Sequence, residues 1–305
     1  MLLNEVCIPG AMISQTWPQS RETQGATLQA IKTVLEQGFY EGIQTVEVPF
    51  AEERESIGVL VKKEKIPLTY CISRVLNENK CNLSDLDDNN RRRSCETVIT
   101  CLSDAAQMGA NTVTFVSGSA PPNEMLRVKA LDRLTDSLSH ICYAAQNFPD
   151  MKIGIEPLDV YAHKKGTLGF TQEGIKICKT IQELGMKVYL CLDTAHAYLN
   201  GEDPVEALQK AFEFVSEFHF CNCVTDQTHP LFGDRHIPFG KPGVLGEDEI
   251  AAILQRLLDI GFLSPGRRPM VLCEILKREQ DDSLTLLEET GKTLSRSWER
   301  VAVGK

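Results

Sequence analysis

The sequence predicts an α/β fold, a single (β/α)8 TIM-barrel domain over residues 1–305, in which an eight-stranded parallel sheet closes on itself inside a ring of helices. Three observations carry this. Eight short β-rich runs alternate with longer segments of helical period. Several runs are continuously apolar, as Val188-Tyr-Leu-Cys-Leu192 is, which suits parallel strands covered on both faces. Eight such units in 305 residues match a barrel better than an open doubly wound sheet. The first strand-to-helix turn, Pro9-Gly10-Ala11-Met12, also lacks the glycine pattern of a dinucleotide site.

In chain order the strands are expected at Val6–Ile13, Ile43–Pro49, Pro67–Arg74, Thr112–Gly118, Lys152–Leu158, Val188–Thr194, Glu217–Cys223 and Pro269–Leu276. Between them, Leu28, Ile31, Val34 and Leu35 form one helical face ending at Gly38, and Leu131, Leu134, Leu138, Ile141 and Cys142 form another. Ile175, Cys178, Ile181 and Leu184 stop at Gly185. Asp203-Pro204 reads as an N-cap with proline in the first turn, opening a helix through Leu208 and Phe212. Ile250, Ile253, Leu254, Leu257 and Leu258 end at Gly261, and a closing helix runs near Leu284, Leu287, Leu294 and Trp298. No linker or composition break divides the chain.

Composition narrows the function classes. With 42% hydrophobic and 24% charged residues the chain can bury a large core, which excludes disorder and collagen-like repetition. No run approaches the roughly 18 apolar residues of a membrane span, and MLLNEVCIPG has neither a basic nor an apolar leader region, so no membrane partner or secretion is expected. A net charge of -10 repels phosphodiester backbones, so no nucleic-acid partner is expected either. Eleven cysteines, an odd number without a CxxC pair, predict a reducing, cytoplasmic setting. Arg91-Arg-Arg93 reads as a solvated helix start, and His140 and His229 as structural or exposed. A homo-oligomer is compatible with the sequence.

In a barrel of this kind the chemistry belongs at the C-terminal ends of the strands. Ionisable residues accumulate there: Glu156 closes strand five, Asp193 closes strand six with His196 three residues on, His219 lies in strand seven and Glu274 in strand eight. A carboxylate set between Ile155 and Pro157, or between Cys273 and Ile275, faces a large desolvation cost unless a cation shares its charge. Glu156, Asp193, His219 and Glu274 together offer three carboxylates and an imidazole, a donor set suited to one divalent metal ion: Mn²⁺, Mg²⁺, Co²⁺ or Zn²⁺. Singly, Asp193 also fits a helix cap, and His219, between Phe218 and Phe220, a core histidine. Asp234 and His236, two apart in Gly233-Asp-Arg-His236, point to one side of an extended segment. They face the metal region as ligands of a second metal or as supports of the first. Arg235, Lys241 and the Ser117-Gly118-Ser119 turn are candidate donors to a substrate phosphate or carboxylate.

In strand order, Gly154-Ile-Glu156-Pro-Leu158, Asp193-Thr-Ala-His196, His219-Phe-Cys-Asn222, Asp234-Arg-His236 and Glu274 resemble the xylose isomerase-like TIM-barrel superfamily. That superfamily includes sugar isomerases, sugar-phosphate isomerases and epimerases, inosose-processing enzymes and the endonuclease IV branch. The resemblance implies that Glu156, Asp193, His219 and Glu274 bind one divalent metal, that Glu156 and Glu274 form the catalytic acid/base pair, and that His196 contacts substrate. It implies a metal-dependent isomerase or epimerase of a sugar, polyol or sugar phosphate, working by proton abstraction next to a carbonyl through an enediolate. Ketose 3-epimerases carry a further glutamate and an arginine where this chain has Ala162 and Thr225, which counts against a free-ketohexose substrate. The alternatives are a zinc-dependent phosphodiesterase of the AP-endonuclease type, an inosose-type dehydratase and a non-catalytic sugar-binding paralogue. The phosphodiesterase branch expects histidines at the ends of strands three and four, where Cys71-Ile-Ser-Arg74 and Phe115-Val-Ser-Gly118 stand.

Overall fold

The computed structural model describes residues 1–301. Its strands are β1 (Ile8–Met12), β2 (Gly42–Thr45), β3 (Leu68–Cys71), β4 (Thr112–Val116), β5 (Lys152–Glu156), β6 (Tyr189–Asp193), β7 (Val215–Val224), β8 (Gly233–Ile237) and β9 (Met270–Glu274). Strands β1 to β7 and β9 pair in parallel, and the β6–β7, β7–β9 and β9–β1 pairings close them into an eight-stranded barrel. Each expected strand forms; most are shorter than expected, the second stopping at Thr45 rather than Pro49, whereas the seventh is longer, running Val215–Val224. Continuous burial follows the continuous apolar pattern, with every residue of β4 and β9 buried.

One strand was not expected as such. The segment around Asp234 forms β8, which pairs antiparallel with the extended end of β7, setting Cys223 opposite Asp234 and Val224 opposite Gly233. The hairpin folds back over the barrel mouth. Asn222 secures the following loop: its amide donates to the Pro238 and Gly240 carbonyls at 2.8 and 2.9 Å and accepts from the Leu245 N–H at 2.8 Å. Gly243 is required there, since a Cβ would lie 2.1 Å from the Asn222 side-chain oxygen.

The helices sit where the apolar spacing places them. Ala26–Glu36, Thr171–Glu183 and Glu247–Asp259 are followed by Gly38, Gly185 and Gly261, all with positive φ. Asp203 caps Pro204–Lys210, its carboxylate accepting from the Val205 and Glu206 N–H groups. Two expectations are corrected. Leu184 is 59% exposed because the helix ends at Glu183 and turns it outward. The helix from Pro204 stops at Lys210, so Phe212 instead packs edge-on against Phe262 with the Arg267 guanidinium 4.4 Å from its ring centre. All eleven thiols are free and ten are buried, and no helix among the described residues is long and apolar enough to cross a membrane.

Candidate metal and active site

At the C-terminal mouth of the barrel lies a cavity of about 250 Å³. Register gathers four ionisable residues at this end of the barrel, of which Glu156 and Glu274 line the cavity: β6 and β7 set Asp193 beside His219, β7 and β9 set Cys221 beside Glu274, and β5 ends at Glu156. One potential ligand atom from each of Glu156, Asp193, His219 and Glu274 lies within 4.8 Å of the others. Phe218 and Phe220 point the other way and stack edge-on, 5.3 Å between ring centres, beneath the helices. The alternation of β7 therefore separates an apolar outer face from an ionisable inner one.

Asp193 takes the capping role its sequence context suggested. Its Oδ1 caps the helix Thr194–Leu199, accepting from the Ala195 and His196 N–H groups at 2.7 and 3.2 Å, while its Oδ2 is buried and has no hydrogen-bond partner among the described residues. A buried carboxylate oxygen without a partner is a costly arrangement unless it receives a cation. Burial, with the charges of Glu274 and Glu156 around it, pushes the Asp193 carboxyl up to about 7. Glu156 is raised by burial and by Glu274. Glu274 goes the other way: burial would raise it, but the His219 hydrogen bond and the charge of His236 hold it down to about 2.

His219 is held from both sides. Its Nδ1 lies 2.7 Å from Glu274 Oε1, and its Nε2 lies 3.5 Å from both Glu217 Oε2 and the Cys191 sulfur. Glu217 is anchored in turn by the Thr69 hydroxyl and, at 3.3 Å, by the Cys191 thiol. In the metal-free protein Nδ1 donates to Glu274; a cation would take the place of that proton, leaving one on Nε2 toward Glu217 and the Nδ1 lone pair toward the other three residues. The donor set thus fits a divalent ion. Glu217→Gln is expected to weaken metal binding about 10–100-fold while the fold survives, because a charge orienting the imidazole is lost. A competition titration with a chromophoric chelator measures this, and an unchanged constant would dismiss the role.

Around the rim, His196 Nδ1 sits 3.3 Å from Asp159 Oδ2, and its Nε2 is 3.8 Å from both Glu156 Oε1 and Asp234 Oδ2. Burial opposes a charge on His196, but Asp159, Asp193 and Asp234 override it and push the ring up to about 10. Asp234 is fully engaged: Lys164 Nζ is 3.0 Å from its Oδ2, His236 Nε2 is 3.1 Å from the same oxygen, and the Cys221 thiol donates to Oδ1 at 3.1 Å. His236, at φ 50, turns its ring so that Nδ1 is also 3.6 Å from Glu274 Oε2.

Residues 31–292 match the family described as xylose isomerase-like TIM barrel. The chain belongs to this family. Comparison with curated protein sequences gives no match. Among solved structures, an L-ribulose 3-epimerase is similar at TM-score 0.73 and 14% identity, covering 96% of each chain. An IolI protein with a bound zinc atom is similar at TM-score 0.67 and 15% identity, covering 95% of this chain and 96% of that one. An AP endonuclease of family 2 from Brucella melitensis is similar at TM-score 0.63 and 14% identity, covering 91% and 95%.

Within this xylose isomerase-like barrel, two candidate substrate residues do not come to the cavity. Arg235 alternates with Asp234 and His236 on β8, so it points outward, is exposed, and donates to the Phe232 carbonyl at 3.3 Å. Lys241 is exposed beyond the hairpin, at the cis peptide before Pro242. Neither they nor Ala162 and Thr225 line the cavity, whereas Gly118 and Ser119 do. The cation that does reach it is Lys164, from the loop after β5. Sequence reasoning also missed Asp159, three residues after Glu156, and Glu217, two before His219 on the same strand face. Period-2 logic of the kind applied to Asp234 and His236 identifies Glu217; nothing local marks Lys164.

Proposed function

We propose that this chain is a divalent-metal-dependent isomerase or epimerase of a sugar-like compound, acting by proton abstraction next to a carbonyl. The observation that carries the reading is the convergence of one ligand atom each from Glu156, Asp193, His219 and Glu274 within 4.8 Å, with the Asp193 Oδ2 unpartnered, at the barrel mouth where Glu156 and Glu274 line the cavity. The similar epimerase and the zinc-bound IolI protein support it. A divalent ion held by these four residues would polarise the substrate carbonyl and favour negative charge on its oxygen. Glu156, which closes β5 and lines the cavity, would be the base that removes the proton. Its return from Glu156 to the neighbouring carbon would give isomerisation; delivery of a second proton on the opposite face, from Glu274 protonated for that step while Glu156 keeps the one it removed, would give epimerisation. His196, held by Asp159, orients substrate oxygens.

Lys164 occupies the place beside Asp234 where a second cation would neutralise charge, so Asp234 and His236 act as supports of the first metal. This favours one metal and an isomerase over a multi-zinc phosphodiesterase. The eleven free thiols fit a cytoplasmic enzyme. The test is incubation of metal-loaded protein with candidate substrates in D₂O: a carbon-bound substrate proton should exchange. An inosose-type dehydratase would exchange it and release water, and a non-catalytic paralogue would exchange none, sinking the proposal.

Metal binding should depend on pH with a definite sign. Asp193, pushed up to about 7, must lose its proton to bind a cation, and His219, raised against burial well above its ordinary value by Cys191, Glu217 and Glu274, must shed one as well, so affinity is expected to fall at least tenfold per pH unit below about 7 and to go on rising above it. In the metal-free protein the same raised carboxyl costs stability as pH rises from the ordinary aspartate value to about 7, and metal relieves that cost. Calorimetric titrations from pH 5 to 8 read both effects; a constant affinity across that range would contradict them.

A further inference from the structure

The wall opposite the carboxylates points to the substrate class. There β1 to β4 and the segments that follow them contribute only uncharged side chains to the cavity, among them Gln15, Gln44, Ser73, Thr114 and Ser119. Two of these are buried without adequate partners. Gln15, 9% exposed, donates its amide N–H to Glu274 Oε2 at 2.8 Å; a carboxylate only accepts, so the Gln15 orientation is set and its Oε1 is left buried and unpaired. The Thr114 hydroxyl, in a residue 3% exposed, pairs with no oxygen or nitrogen and lies beside the Cys71 thiol, a weak partner. Unsatisfied buried groups that line a cavity are complemented by a ligand bringing matching hydroxyls.

The cationic side chains of the lining are already committed. Lys164 lies 3.0 Å and His236 3.1 Å from Asp234, and His196 lies 3.3 Å from Asp159. Drawing Lys164 away to a phosphate would cost Asp234, which is 1% exposed, its lysine partner and leave it to His236 and the Cys221 thiol, while the neutral wall offers a dianion no compensating charge. Arg235 and Lys241 lie outside the cavity.

We infer that the substrate is an uncharged polyhydroxy ketone, not a phosphate ester, and that Gln15 Oε1 and the Thr114 hydroxyl read two of its hydroxyl groups. This rests on the proposed function and names the substrate class of the same site. Gln15 joins the two halves of the cavity, since the amide that holds Glu274 presents the oxygen that receives the substrate. Both residues are specificity determinants.

The test is calorimetric binding to Mn²⁺-loaded protein of D-fructose, L-ribulose and scyllo-inosose, with D-fructose 6-phosphate and L-ribulose 5-phosphate as charged counterparts. At least one neutral compound should bind, and its phosphate ester should bind at least about tenfold more weakly. Thr114→Val should weaken the neutral ligand about tenfold with metal content unchanged, and Thr114→Ser, which keeps the hydroxyl, should restore it. Gln15→Met should likewise weaken it. Tighter binding of an ester than of its parent, binding of no neutral compound, or indifference to both Thr114→Val and Gln15→Met overturns the inference. Proton exchange confined to phosphate esters would overturn it while leaving the isomerase reading intact. Binding of neutral compounds through Thr114 without exchange or turnover would do the reverse.

Discussion

Glutamine in place of Glu156 is expected to slow exchange of the substrate carbon-bound proton by about 10²–10⁴-fold, the range a positioned general base supplies. The substitution keeps the side chain's size and removes the charge that accepts the proton. Glu156 caps no helix and closes β5 at the cavity floor, so the barrel has no reason to open. Glu274→Gln should also abolish exchange, by a different route. Glu274 accepts from Gln15 and faces His219 Nδ1 at 2.7 Å, so its loss disturbs the metal donors as well as the base pair. The two variants therefore separate in metal content, which Glu156→Gln lowers less. Exchange that survives both changes would sink the mechanism.

Asp193→Asn is expected to abolish metal-induced stabilisation. In the unaltered protein a metal present at 100 times its dissociation constant should raise the unfolding free energy by about 2.7 kcal/mol. Asparagine still offers an oxygen to the Ala195 and His196 N–H groups, so the cap of Thr194–Leu199 is kept. What disappears is the charge on a buried oxygen that has no other partner. Near neutral pH the metal-free variant should therefore be at least as stable as the unaltered protein, yet gain almost nothing from added metal. Thermal unfolding with chelator and with Mn²⁺ reads both outcomes. A variant destabilised without metal and still stabilised by it would assign Asp193 a structural role only.

Much of this site is legible before folding because barrel position follows from strand order. Glu156, Asp193 and Glu274 close β5, β6 and β9, and a residue at the end of a barrel strand faces the mouth whatever its loop does. His219 is legible by alternation, since its neighbours Phe218 and Phe220 claim the helix-facing side. Arg235 is the instructive miss. Its chemistry suits a phosphate, but across the irregular β7–β8 register Asp234 and His236 reach the cavity while Arg235 is exposed and donates back to the Phe232 carbonyl.

Charge alone could not rank Arg235, Lys241 and Lys164, because all three lie in loops or hairpins whose path depends on packing. Lys164 reaches Asp234 across seventy positions of sequence through the fold of the β5 loop, which Asp159 pins by accepting the His163 and Lys164 N–H groups. Gln15 meets Glu274 from the opposite end of the chain through the β1–β9 pairing.

By itself the sequence determined the eight parallel strands, the ring of helices and the four ionisable residues that gather at the barrel mouth, because apolar period and strand-end position are local properties of the chain. The tertiary structure alone decided which lysine reaches the cavity, which oxygen of Asp193 is left without a hydrogen-bond partner, and that the far wall of the cavity is neutral. Those depend on distances between residues far apart in sequence, set only when the barrel closes.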